Sequence, residues 1–200
     1  MNKKNKLNLL GFITRTGMYI NPVDNINITS FINGYLLADD ECDFLQLYKN
    51  LLIKKYNIPY TSDGWPGQTT RFCNVQLLDW VVAFKQISLE IIIENQDKNL
   101  DPELIKILKS RITSLIKKID TNNNIWFNNQ WEKEWISLCI IQNPVFKLMW
   151  TKDEWEIIYC ITKIVQLDSI FYKDNINTSI DKLKSLRDQY EILESKKNNI

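Results

Sequence analysis

No histidine occurs among the 200 residues. That absence removes Ser-His-Asp and Cys-His catalysis, His-containing metal sites and the usual general base near neutral pH. Phosphate-binding signatures are missing as well, both Gly-x-x-x-x-Gly-Lys and Gly-x-Gly-x-x-Gly. Glycine and proline number five each, too few for a collagen-like or Pro/Gly-rich disordered chain. Cysteine is sparse and scattered, at 42, 73, 139 and 160, with no Cys-x-x-Cys spacing. Neither a disulfide framework nor a structural zinc is expected from such spacing, and the thiols are read as small buried hydrophobes. Charge of one sign is not in excess either. Twenty-five basic residues face 24 acidic ones, and splitting the chain at residue 100 leaves halves near 0 and +1. Nucleic-acid binding is therefore not expected.

Against these absences stand 44% hydrophobic residues and seven tryptophans, enough for one domain spanning residues 1–200 with a substantial core. The first six residues and residues 198–200 read as polar tails. The apolar run after the first tail is short, broken by Asn8, and shows no small-residue cleavage site, so the expectation is a cytoplasmic protein.

Residues 71–94 are apolar in nearly every direction around a helix axis, the mark of a buried helix. Asp79, Lys85 and Glu90 argue against a membrane span. The stretch is expected to be the central helix of a bundle, entered through the turn Asp63-Gly64-Trp65-Pro66-Gly67. Around it the chain reads as helix after helix. Residues 7–24 are the exception, with two short extended pieces flanking Arg15-Thr16-Gly17, where a β-hairpin is allowed.

Asn27 or Thr29 is expected to cap a helix carrying Ile28, Phe31, Ile32, Tyr35 and Leu36 on one stripe. Gly34 inside that helix suggests the close packing of another element. A second helix is read from Asp40 or Glu41, with Phe44, Tyr48, Leu52 and Tyr56 inward and Lys54-Lys55 at its last turn. Residues 57–70 read as a loop. Asp101-Pro102-Glu103 is a strong helix start, residues 129–141 form a tryptophan-bearing helix, and Thr151-Lys-Asp-Glu154 matches a capping box. A final helix opens at Thr178. The expected fold is all-α, a single-domain bundle of about seven helices.

Without histidine, chemistry would have to rest on carboxylates. The densest group is Asp39, Asp40, Glu41 and Asp43, followed by Glu132 with Glu134 and by Asp153, Glu154 and Glu156. The last two sets lie near helix starts, where acids belong on electrostatic grounds. The first lacks the glycine and spacing of an EF-hand loop, so it reads as an acidic surface patch rather than a metal site. Trp65 stands apart from the other tryptophans because it sits in a Gly/Pro loop. Two roles suit it, plugging the end of the bundle or anchoring a partner.

The pattern Ile13-Thr-Arg-Thr-Gly-Met-Tyr-Ile20, Ser30-Phe-Ile-Asn-Gly-Tyr35, the helix 44–56 and Gly64-Trp65-Pro66 resembles small bacterial proteins. Among these are immunity proteins of polymorphic or contact-dependent toxin systems. The resemblance covers residues 12–70. It implies a cytoplasmic protein, monomeric alone or heterodimeric with one cognate toxin domain, that binds and blocks that toxin. It implies no enzyme activity, catalytic residue, metal, cofactor, nucleic acid or membrane. Asp39, Asp40, Glu41, Asp43 and Trp65 are the expected partner-binding residues. Two other classes stay open on the residues alone, a carboxylate- or metal-dependent enzyme and a helical adaptor or regulator.

Overall fold

The structure is a computed structural model and describes residues 1–38, 42–94, 101–119, 129–139, 144–171 and 176–198. These residues are overwhelmingly helical, with no strand among them, and the fold is all-α. They fall into two compact units, Met1–Asn99 and Leu100–Ile200.

In the first unit, helix α1 (Lys3–Thr14) is capped by Asn2, whose side chain accepts the Asn5 amide at 2.9 Å. A 3-10 turn, Thr16–Met18, follows it. The allowed β-hairpin is thus not formed, and the first six residues mostly belong to a helix rather than a tail. The reason lies in spacing. Asn5, Leu9, Phe12 and Ile13 fall on one buried helical stripe. The Thr14 and Thr16 hydroxyls donate back to the carbonyls of Leu10 (2.7 Å) and Phe12 (3.0 Å) and close the helix end.

Helix α2 (Asn25–Leu37) begins earlier than expected, because Asp24 rather than Asn27 or Thr29 caps it, accepting the Asn27 amide at 2.8 Å. Ile28 and Ile32 are buried, as its stripe required. Gly34 departs from expectation: a Cβ placed there would meet nothing within 4 Å among the described residues, so no neighbour packs closely on it. Gly34→Ala is expected to raise stability by about 0.5–1 kcal/mol, checked by chemical denaturation, since alanine is the better helix former.

Helix α3 (Phe44–Tyr56) starts three or four residues after the expected start at Asp40 or Glu41 and ends on Asn57 in the left-handed region, φ 55°. The expected single helix over residues 71–94 is two. Helix α4 (Gly64–Gln76) stops at Leu77, φ 55°, and α5 (Trp80–Glu94) starts after Asp79, whose carboxylate accepts the amides of Val81 (2.9 Å) and Val82 (3.4 Å). The expected loop 57–70 is shortened accordingly. Gly64-Trp65-Pro66-Gly67 forms the first turn of α4, where amides lack an intrahelical partner and proline breaks no bond. Gly67 is needed there because a Cβ would overlap the Asp63 carboxylate, which Arg71 holds through two hydrogen bonds of 2.6 and 3.0 Å.

Helix α5 is the axis of this unit and packs against α1, α3 and α4. Its Phe84 lies at the centre of an aromatic cluster, with ring centroids of Phe12, Phe44, Tyr48, Trp65 and Trp80 between 5.9 and 6.5 Å away.

The second unit holds α6 (Pro102–Lys117), α7 (Asn129–Leu138), α8 (Pro144–Lys147), α9 (Lys152–Phe171) and α10 (Ile176–Asn198). The Asp101 carboxylate accepts the Glu103 amide at 2.9 Å, with Pro102 in the first turn, as the sequence requires. The capping box at the start of α9 also forms, with the Thr151 amide donating to Glu154 at 2.8 Å and the Glu154 amide to the Thr151 hydroxyl at 3.3 Å. Trp131 and Trp135 stack at 5.5 Å and donate to the Leu115 carbonyl and the Thr162 hydroxyl, tying α7 to α6 and α9. Trp126 and Phe127 lie outside the described residues.

Candidate functional site

Asp39, Asp40 and Glu41 lie outside the described residues. Asp43 is exposed and accepts the N-terminal ammonium at 2.8 Å, just ahead of α3. Trp65 is only 5% exposed. Its ring meets Tyr48, Trp80 and Phe84, so it fills the interior in the manner of a plug. Its one polar atom reaches outward. The indole N–H donates to the side-chain amide oxygen of Asn33 on α2 at 3.2 Å, anchoring that helix to α4.

Helix α2 is fixed from the other side as well. Tyr35 donates its hydroxyl hydrogen to Asn5 at 2.9 Å, and Asn8 donates to the same hydroxyl at 3.3 Å. Phe31 stacks flat on Phe12, with centroids 4.3 Å apart. Tyr19 closes the group edge-on to both rings, at 5.6 Å from Phe12 and 5.8 Å from Phe31. The inner side of α2 is therefore a rigid platform.

Apolar side chains stand exposed on α2 and in the segment that precedes it. Met18 is 77% exposed, Ile26 71% and Leu37 85%, with Tyr19 and Val23 also open to solvent. Across the 22 residues 16–37 the only charged side chain is Asp24, against 24% charged residues in the whole chain. Asp24 is committed to capping α2. A surface that is apolar and lacks charge is the composition of a protein–protein interface core. The residues expected from the sequence to meet a partner, Asp39, Asp40, Glu41, Asp43 and Trp65, lie outside this segment. The charge gap itself was readable, whereas the exposure of Ile26 and Leu37 depends on how α2 docks.

A second polar centre is buried. Glu90 on α5 is 1% exposed and accepts the Tyr56 hydroxyl at 2.6 Å and a close hydrogen bond from the Lys55 ammonium. The same ammonium reaches Glu94 at 2.6 Å. Burial pushes the Glu90 carboxyl above its ordinary value, opposed by Lys55 and Tyr56. Desolvation pulls Lys55 down, but the two carboxylates together hold it above its usual value. Burial also raises the Tyr56 phenol, and Glu90 adds to that. These groups satisfy one another, so the cluster is a tie between α3 and α5.

In the second unit an open groove of about 640 Å³ runs between α6 and α10, lined by Lys109, Thr113, Ser114, Lys117, Lys118 and Glu194. Lys117 pairs with Glu194 at 3.1 Å, and Lys109 with Glu154 at 3.7 Å while lying over the Trp150 ring. Glu154 also receives Lys197 at 2.6 Å. Desolvation works to raise the Glu154 carboxyl, yet Lys197, the Thr151 amide and Lys109 together hold it below its ordinary value. This groove is a charge-stitched helix seam.

None of the four cysteines is in a disulfide, and the Cys73 thiol is pushed up to about 11 by burial, which keeps it protonated. Among the described residues no three His, Cys, Asp or Glu side chains gather so as to hold a metal ion. Nor is any described helix long and apolar enough to cross a membrane. The chain matches no protein-family model, no curated protein and no solved structure.

Proposed function

We propose that this chain is an immunity-type protein that neutralises one bacterial toxin domain by binding it stoichiometrically in the cytoplasm. The observation that carries the reading is the coincidence of two independent features in residues 16–37. The segment lies within the stretch that resembles immunity proteins, and it exposes Met18, Ile26 and Leu37 while Asp24 is its one charged residue. Inhibition of this kind needs no chemistry from the inhibitor. It needs a rigid platform and a surface whose apolar centre excludes water from the contact. The ties from Trp65, Tyr35 and Phe31 supply the rigidity, which reduces the ordering cost of binding.

The test is protection in co-expression with the product of the adjacent reading frame. The wild-type chain is expected to restore growth, and the double variant Met18→Ser/Ile26→Asp to lose protection while keeping its circular dichroism spectrum and melting temperature. A double variant that protects as well as the wild type overturns the assignment of the surface. A neighbouring product that is harmless and does not bind the chain overturns the function.

A further inference from the structure

Helix α10 is fastened unequally along its length. Leu183 and Tyr190 are buried, and the Tyr190 hydroxyl pairs with that of Thr113 on α6 at 2.9 Å. Beyond Tyr190 the attachment changes in kind. From Glu191 to Lys197 no side chain is buried, and only Leu193 and Glu194 are half-buried. Nearly two turns of helix therefore lie on the second unit without a core residue of their own.

What holds them is charge. Glu194 meets Lys117 of α6 at 3.1 Å, and Lys197 meets Glu154 of α9 at 2.6 Å. Both lysine side chains are about half exposed, at 53% and 47%. An ion pair so open to water shifts an equilibrium by about fivefold at most, and dissolved salt screens it.

Breaking these pairs strands no buried charge. Glu154 is itself buried, but its other carboxylate oxygen accepts the Thr151 amide at 2.8 Å and the Thr151 hydroxyl at 3.1 Å, with Lys109 at 3.7 Å. Those partners belong to α6 and the start of α9 and stay when Lys197 leaves. The cost of leaving a buried carboxylate without a cation is thus avoided. Helix α9 differs, because Ile157, Ile158, Ile161 and Val165 are all buried and must be unpacked before its amides open.

We propose that Glu191–Lys197 is a charge-latched strap, which comes away as one unit beyond Tyr190 while α6 and α9 stay folded. Closed, Lys197 covers Glu154 and Glu194 holds Lys117. Open, one oxygen of Glu154 meets water and Lys117 is released. Ionic strength sets the balance between the two states.

Amide hydrogen exchange on the full chain tests this, at about 50 mM and about 500 mM sodium chloride. Raising the salt is expected to speed exchange across residues 191–197 by about three- to tenfold, with amides of Ile157–Val165 held within about twofold. Lys197→Gln at low salt is expected to give an acceleration of similar size. Lys196→Gln serves as the control, since it removes the same charge from the same helix end and Lys196 makes no ion pair among the described residues. It is expected to have the smaller effect. Equal acceleration by the two substitutions, or rates that grade residue by residue and ignore salt, would mean ordinary fraying of a helix end and overturn the strap. Acceleration that spreads equally into α9 would mean a general loosening of the second unit and overturn it as well.

Discussion

Phe84→Ala is expected to remove about 3–5 kcal/mol of stability, the range for truncating a buried aromatic. Phe84 is fully buried at the middle of α5, and five aromatic rings from α1, α3, α4 and α5 surround it. Alanine would leave a void bounded by large flat side chains on four helices. Such walls close poorly, because moving any one ring breaks its other contacts: Trp65 is tied to Asn33 and Tyr48 to the Thr69 hydroxyl at 2.8 Å. Urea denaturation followed by tryptophan fluorescence measures the loss. Ile192→Ala, at an exposed position of α10, serves as the control and is expected to stay within about 0.5 kcal/mol. A Phe84→Ala loss no larger than the control's would mean that the aromatic cluster is not the core of the first unit.

Lys55→Met is expected to be the second largest effect, and it carries a pH signature. The substitution keeps the aliphatic stem and deletes the ammonium that faces Glu90. A buried carboxylate left without its cation destabilises a fold by about 3–5 kcal/mol. Lys55 is itself partly solvated and Tyr56 still donates to Glu90, so the expected loss at pH 7 is about 2–3 kcal/mol.

Burial already raises Glu90 in the wild type, and removing Lys55 raises it further. A carboxyl whose folded value lies above its unfolded value contributes stability that is full below the unfolded value and lost as pH rises through the folded one. The variant is therefore expected to lose stability as pH rises from about 4 towards 7. The gap to the wild type is expected to narrow as pH falls towards about 4, because protonation of Glu90 removes the unpaired buried charge. Lys55→Met/Glu90→Gln is expected to recover much of the loss at pH 7, since the amide needs no counter-charge and can still accept from Tyr56. A gap independent of pH would mean that the lost packing of the lysine stem, rather than Glu90, sets the cost.

Where local chemistry decides, the fold was legible in the sequence. Asp101-Pro102-Glu103 and Thr151-Lys-Asp-Glu154 each carry their own hydrogen-bond partners within four residues, so their helix starts needed no tertiary information. The stripes of α2 and α3 were legible for the same reason, since the spacing of Ile28 with Ile32 and of Tyr48 with Leu52 holds whatever covers them.

The break between α4 and α5 was not legible, because an apolar run looks alike as one buried helix or as two. The left-handed residue that divides them is Leu77 rather than the usual glycine or asparagine. Gly64-Trp65-Pro66-Gly67 misled in the opposite sense. Its glycines and proline suggested a loop, but they occupy a first helical turn that needs those amides for nothing.

The surface was half legible. Residues 16–37 show their lack of charge in the sequence itself, yet only the docking of α2 through Tyr35, Phe31 and Trp65 decides that Ile26 and Leu37 end on the outside. Of the two roles the sequence allowed Trp65, its burial and its hydrogen bond to Asn33 beneath α2 fit the plug.

The most direct test of the central claim is amide hydrogen exchange on the full chain, free and mixed with the purified domain encoded by the adjacent reading frame. Formation of the complex is predicted to slow exchange across residues 16–37. Amides in α7 and α9 of the second unit should keep their free rates. Unchanged exchange in residues 16–37 when the complex forms, with new protection confined to the second unit, would contradict the account.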